Sequence, residues 1–441
     1  MASSGWLKLI AVSNLLAARA QMALSLGFHI IFAEIGIGMP AMMVLAEWRW
    51  RQTGDDVWLE LAKRWARGTA ILFAIGAVSG TVLSFELGLL WPRFMEFAGP
   101  IIGIPFSLEG FAFFTEAIFL GIYLYGWERV SPRTHFFAGV VVAMSGAASA
   151  IFVVTVNAWM NTPRGVTLAG GRIAAVDPIA GMLNPSTIQQ ALHMALAAYA
   201  ATGLAVAGVH ALMVVRGSTR RFHRAALVAS LSIGGPAAVL QPISGDLSAR
   251  TVARTQPVKL AALEGQFDTE VGAPVRIGGW PDVDARRTRF AIEIPRGLSL
   301  LAFHDPAATV KGLSDFDREL WPPVPPVHFG FQVMVGLGTL MAIVAAWSLV
   351  VLVRGRDILA NRNLLRALAI VMPFGFIATE AGWTVTEVGR QPWVVQGVLR
   401  TADAVTPMPG VVVPMALFTV LYIGLAAIVV MLIRSMIAQT Q

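Results

Sequence analysis

Nine stretches of this chain are each long and apolar enough to cross a bilayer, whose core of about 30 Å takes roughly 20 apolar residues as helix. They lie near 22–47, 69–91, 100–127, 136–159, 187–215, 224–243, 328–353, 364–386 and 411–434. The composition agrees: 56% of the 441 residues are hydrophobic and 13% charged, about half the charged share of soluble domains. Too few charges remain to coat a soluble globule of this size, so the fold class is an all-α integral membrane protein. The first span is too long for a signal peptide and lacks an early small-residue cleavage site, so it is expected to stay in the mature protein. Cysteine is absent, which excludes disulfides, cysteine-held iron–sulfur clusters, thiolate nucleophiles and cysteine zinc sites. Any metal must sit on His, Met or carboxylates.

Lys and Arg in the short connections give an orientation. The connections after the first, third, fifth and seventh stretches, with the C-terminal tail, hold sixteen, from Arg49 to Arg434; the other side holds Lys8, Arg19, Arg93, Arg164, Arg172, Arg390 and Arg400. This predicts an N-terminus outside and a C-terminus in the cytoplasm. The net charge of +7 is then a topology signal, and no nucleic-acid partner is expected. A polar segment from Ser244 to Val327 divides the chain into 1–243, 244–327 and 328–441. It ends in the Pro-rich Trp321–Pro326 and contains an apolar alternation over Arg289–Pro295, so it is expected to form an ordered outer cap. No repeat of 20–50 residues is visible, and no inverted pair of broken helices of the secondary-transporter kind.

Ionisable side chains inside spans are costly and mark function. Here they are His29, Glu34, Glu86, Glu109, Glu116, His193, His210, Glu380 and Glu387. Glu109 and Glu116 stand two turns apart, about 10 Å along one helix face, where carboxylates can pass protons through bridging water or hydrogen-bond a neighbouring helix. Glu380 and Glu387 repeat the spacing, and Arg390 follows in Gly389-Arg-Gln-Pro-Trp393, placed to neutralise Glu387 or hold an anion. His29 and His193, among small and apolar residues, suit either heme iron or a satisfied core. His210 and His223 read as interfacial residues, with His135 opening a span at the same face. Spacing alone makes Met334 ordinary packing.

The chain resembles subunit I of cytochrome bd-type quinol oxidases over almost its whole length. The carriers are Ala23–His29, Leu108–Gly110 with Phe113–Glu116 and Gly126-Trp127, Asn157–Met160, Gln190–His193, Lys259–Glu264, Phe329–Met334 and, most specific, Glu380–Trp393. The resemblance implies His193 and Met334 as axial ligands of a low-spin heme b, and His29 and Glu387 as ligands of two high-spin hemes, a heme b and a heme d, where dioxygen is reduced. It implies Trp383 and Arg390 around those hemes, Glu109 and Glu116 as the proton path from the cytoplasm, and Lys259 and Glu264 in the quinol-binding loop. Lys259 would orient the quinol ring and Glu264 take its proton. It further implies a subunit II, admits small accessory subunits, and places the complex in the bacterial inner membrane.

Two departures stand out. The loop after Glu264 is short, as in the class that includes cyanide-insensitive oxidases. Gln332 occupies a position where many members carry Arg two residues before the methionine ligand, removing a positive charge near the low-spin heme. A heme-d-lacking oxidase with a further heme b shares this ligand set. A proton-coupled transporter accounts for the buried acids but gives no reason for His193, Met334 and the Glu387 block together.

Overall fold

The computed structural model describes residues 13–169 and 172–438; Lys8 lies outside them. Among the described residues nine helices are long and apolar enough to cross a membrane: Asn14–Thr53, Asp56–Leu90, Pro92–Tyr125, Pro132–Asn161, Thr187–Val215, Arg221–Thr255, Val324–Val353, Arg362–Val388 and Val412–Leu432, here spans one to nine. Most run past the apolar stretch that marks them, because polar caps and not hydropathy end a helix. Ser13, Asp55 and Ser131 accept from the first-turn amides of spans one, two and four, satisfying donors a helix start leaves open. Span six continues through Ser244 to Thr255, so the first part of the segment read as loop is helix. Span eight is two helices, Arg362–Val371 and Phe374–Val388. Pro373 lies between them, and proline supplies no N–H to carry a helix through.

Helix packing in the bundle relies on small residues. A Cβ on Gly203 of span five would lie 2.5 Å from Cα of Gly234 of span six, and one on Gly375 of span eight 2.4 Å from Cα of Ala201. Neither contact tolerates a side chain, so these glycines set backbone-to-backbone approach as is usual in membranes.

The alternation of spans puts the connections after spans two, four, six and eight at one end. That end carries the hairpin Val166–Ala169/Arg172–Val176, the pair Trp393–Val395/Leu399–Arg400 and the long segment after Thr255. The long segment is ordered: a helix Pro257–Glu264, then Val275–Ile277 paired with Ile292–Ile294 and Trp280–Asp282 paired with Arg287–Arg289. The apolar alternation therefore belongs to these strands. Leu263 and Phe267 pack with Val324, Val327 and Val385, which joins the segment to spans seven and eight.

Candidate functional site

Two histidines inside the bundle are wired alike. Nδ1 of His29 (span one) lies 3.0 Å from Oγ of Ser79 on span two, and that hydroxyl reaches the carbonyls of Ile75 and Gly76 at 3.0 and 3.1 Å. Nδ1 of His193 (span five) lies 2.9 Å from Oγ of Ser244 on span six, which donates to the Gln241 carbonyl at 2.8 Å. A hydroxyl whose proton is committed to a carbonyl offers the ring only lone pairs. In both rings Nδ1 is therefore the donor, and Nε2 keeps the lone pair a metal ligand needs. In His193 that Nε2 lone pair accepts from the Gln241 amide nitrogen at 3.2 Å, so Gln241 stands where a metal would bind and would have to turn aside for one. Neither serine carries a sequence signal: Ser79 is one hydroxyl in an apolar stretch, and Ser244 falls just past the stretch read as the sixth span. Space beside the ligand-type side chains is kept by glycine. A Cβ on Gly80 would meet Cε1 of His29 at 2.9 Å, and one on Gly382 would meet Sδ of Met334 at 3.0 Å.

Glu387 ends span eight in a polar network. It accepts from Nη2 of Arg390 at 2.5 Å and from Nδ2 of Asn157. Asn161, one turn on, donates to Asn157 Oδ1 at 3.0 Å and accepts from Nζ of Lys259 at 3.0 Å, while Lys259 also donates to the Thr386 carbonyl at 3.2 Å. Burial, and then the neighbouring Arg390, pull the Lys259 ammonium down to about 7 against the attraction of Glu387. A cavity of about 210 Å³ beside it is lined by Lys259, Leu320, Pro322, Gly389, Arg390 and Trp393. Arg390 is 2% exposed, and its Nε and Nη1 have no protein partner among the described residues.

Lys259 and Glu264 lie five residues apart on one short helix, about 140° around it, so they face different neighbours. Lys259 joins Glu387; Glu264 joins Arg276. The Glu264 carboxyl is buried with Oε2 unpartnered. Burial raises it to about 7, opposed by a hydrogen bond from the Arg276 backbone and by the Arg276 charge.

Glu109 and Glu116 both face span four. Ser149 donates to Glu109 at 3.2 Å, and a Cβ on Gly146, one turn away, would stand 3.2 Å from Oε2 of Glu116, whose Oε1 is buried without a partner. Glu34 is fully buried beside Thr379, Glu380 has Oε1 without a partner among the described residues, and Glu86 accepts from Gln21 and Ser25 at 2.9 and 2.8 Å. Trp383 is half-buried on the second helix of span eight. Three further histidines are buried at the end of the bundle away from the long segment: His135 pairs with Glu47 at 3.1 Å, and His210 and His223 meet Nδ1 to Nδ1 at 2.9 Å.

Among the described residues no three His, Cys, Asp or Glu gather as a bare-ion site. A heme takes only one or two protein ligands. Imidazoles with Nε2 available, a thioether kept clear by glycine, and a buried guanidinium with two N–H groups for a propionate fit that group.

Nine spans around such donors define a multi-pass membrane redox protein. The family model described as cytochrome bd terminal oxidase subunit I matches residues 17–441. A Bacillus subtilis (strain 168) chain provisionally named cytochrome bd menaquinol oxidase subunit I is 39% identical over 426 residues, 95% of each chain. The cytochrome bd ubiquinol oxidase subunit 1 of the same organism is 30% identical, covering 96% of this chain and 93% of that one. The solved bd oxidase from Geobacillus thermodenitrificans superposes with a TM-score of 0.90 at 38% identity, over 97% of this chain and 99% of that one. The chain belongs to the cytochrome bd terminal oxidase subunit I family. It is accordingly an oxidoreductase subunit of a heme-carrying quinol oxidase, a multi-pass membrane protein that works with a subunit II.

Proposed function

We propose that this subunit oxidises quinol at the end of the bundle that carries the 257–320 segment, taken as the outer face, and reduces dioxygen to water with protons drawn from the cytoplasmic side. His193 and Met334 would hold a low-spin heme b, and His29 and Glu387 the two high-spin hemes, a heme b and a heme d or a further heme b in its place. Bound there, the hemes supply electron transfer and oxygen binding, chemistry no side chain of this chain provides. The observation that carries the reading is the shared wiring of His29 and His193. Each ring is turned by a serine so that Nε2 keeps its lone pair, an arrangement that suits ligation and that packing does not require.

The protein's own groups do the proton work. Glu264, near 7, can take a quinol hydroxyl proton at neutral pH and release it. Lys259 lines the neighbouring cavity and would orient the ring from the other side. Arg390 has N–H groups for a propionate, beside Trp383 and Glu387. Glu109 and Glu116, in series along span three where it faces span four, form the path inward. Because quinol protons leave on one face and are taken up from the other, turnover charges the membrane without a pumping cycle.

The test is a reduced-minus-oxidised spectrum of the purified complex with chromatography of its extracted hemes. Expected are b-type bands and a red-shifted chlorin band; b-type heme alone would leave the ligand set and change only the oxygen-site heme, and absence of heme would overturn the reading. A second expectation concerns pH. The Glu264 carboxyl is a base above about 7 and protonated below it, so quinol-driven oxygen consumption should fall as pH drops through 7. Glu264→Gln should lower that activity on the order of 100-fold and remove the pH limb. An unchanged profile would take Glu264 out of proton transfer.

A further inference from the structure

Span seven begins with two polar side chains one turn apart, His328 and Gln332, and both reach the loop that carries Glu264. The His328 ring is fully buried. Its Nδ1 lies 2.8 Å from the Leu263 carbonyl oxygen and its Nε2 3.1 Å from the Gly278 carbonyl oxygen. Carbonyls only accept, so the ring N–H donates to one or other of these two carbonyls and holds the ring against both. Gln332 completes the contact: its Oε1 accepts from the Gly278 amide at 3.0 Å and its Nε2 donates to the Arg276 carbonyl at 2.8 Å.

These contacts tie Leu263, Arg276 and Gly278 to one face of one helix, and the residues are not arbitrary. Leu263 immediately precedes Glu264, and Arg276 is the cation beside Glu264. Two residues beyond Gln332 on the same helix stands Met334. The departure at 332 also finds a physical reason. The strand end offers one N–H and one C=O, which a carboxamide matches in both senses; a guanidinium only donates and would leave the Gly278 amide unpaired.

We propose that His328 and Gln332 are positioning residues that clasp the loop onto span seven and hold the Glu264 carboxyl in register with Met334, so that quinol meets a fixed base. This rests on the reading of Glu264 as the proton acceptor.

The test uses the purified two-subunit enzyme with Gln332→Leu, His328→Gln and, in parallel, Glu264→Gln. Hydrogen–deuterium exchange over 263–280 reads the clasp directly. Quinol KM reads the positioning, and oxidation of the chemically pre-reduced enzyme by oxygen bypasses the quinol site. The expected result is faster exchange in both clasp variants and a quinol KM raised about ten-fold, the effect of losing one or two hydrogen bonds to the positioned loop. Oxidation of the pre-reduced enzyme should be unchanged. Unaltered exchange in both variants overturns the clasp whatever the kinetics. Faster exchange with an unmoved KM, while Glu264→Gln strongly lowers quinol turnover, overturns the positioning role alone. Full quinol turnover in Glu264→Gln overturns the reading beneath it and leaves the exchange result to decide the clasp.

Discussion

His193→Ala is expected to remove the low-spin heme and with it essentially all quinol-driven oxygen consumption. Alanine offers no donor atom. Gln241, whose amide nitrogen lies 3.2 Å from Nε2, is a carboxamide and a poor substitute for imidazole at heme iron. Ser244→Ala grades the effect. It leaves the imidazole in place but removes the acceptor that fixes Nδ1 as the protonated nitrogen, and loss of such an outer partner costs about 10–100-fold in affinity at metal sites. Heme-to-protein stoichiometry and the reduced-minus-oxidised spectrum check both. The expected order is a full low-spin b band in the parent, a weakened one in Ser244→Ala and none in His193→Ala. A full complement in His193→Ala would assign the ligand elsewhere and dismantle the reading of Met334 with it.

How far that reading was visible beforehand depends on the kind of signal. The nine spans were legible because hydrophobic length is a local property of the chain. His29, Glu109, Glu116, His193 and Glu387 were legible because an ionisable group in a span is costly enough to need a reason. Met334 carried no such cost, and only the resemblance singled it out. Ser79, Ser244 and Asn161 were not legible at all: each serine lies on a different span from the histidine it serves, Asn161 meets Lys259 of the helix after span six, and short polar residues are common in membrane helices. Lys259 and Glu264 share a motif in sequence, yet the helix carrying them turns one toward Glu387 and the other toward Arg276. The end of span six was misplaced for a related reason. Hydropathy stops near Ile243, whereas the helix runs on to Thr255 because its next turns are held by the 257–302 segment rather than by lipid; Ala253 there packs with Leu260 and Leu298.

Glu387→Ala tests a residue with two roles that one variant alone would confound. The carboxylate is the proposed ligand at the oxygen site and also the counter-charge of the buried Arg390, 2.5 Å away. Removing Glu387, itself 31% exposed, strands the buried Arg390; the roughly 3–5 kcal/mol of a fully buried pair is the upper bound, and even part of it is a sizeable share of a domain's marginal stability. Glu387→Ala is therefore expected to lower thermal stability and abolish oxygen reduction together. Adding Arg390→Met separates the two effects. It removes the stranded charge, and its influence on Lys259 opposes that of losing Glu387, because Arg390 depresses the Lys259 ammonium and Glu387 supports it. The double variant should regain most of the lost melting temperature, an interaction term a double-mutant cycle reads directly, while oxygen reduction and the high-spin heme signal stay absent. Recovery of turnover along with stability would reduce Glu387 to a counter-ion and remove the carboxylate from the oxygen site.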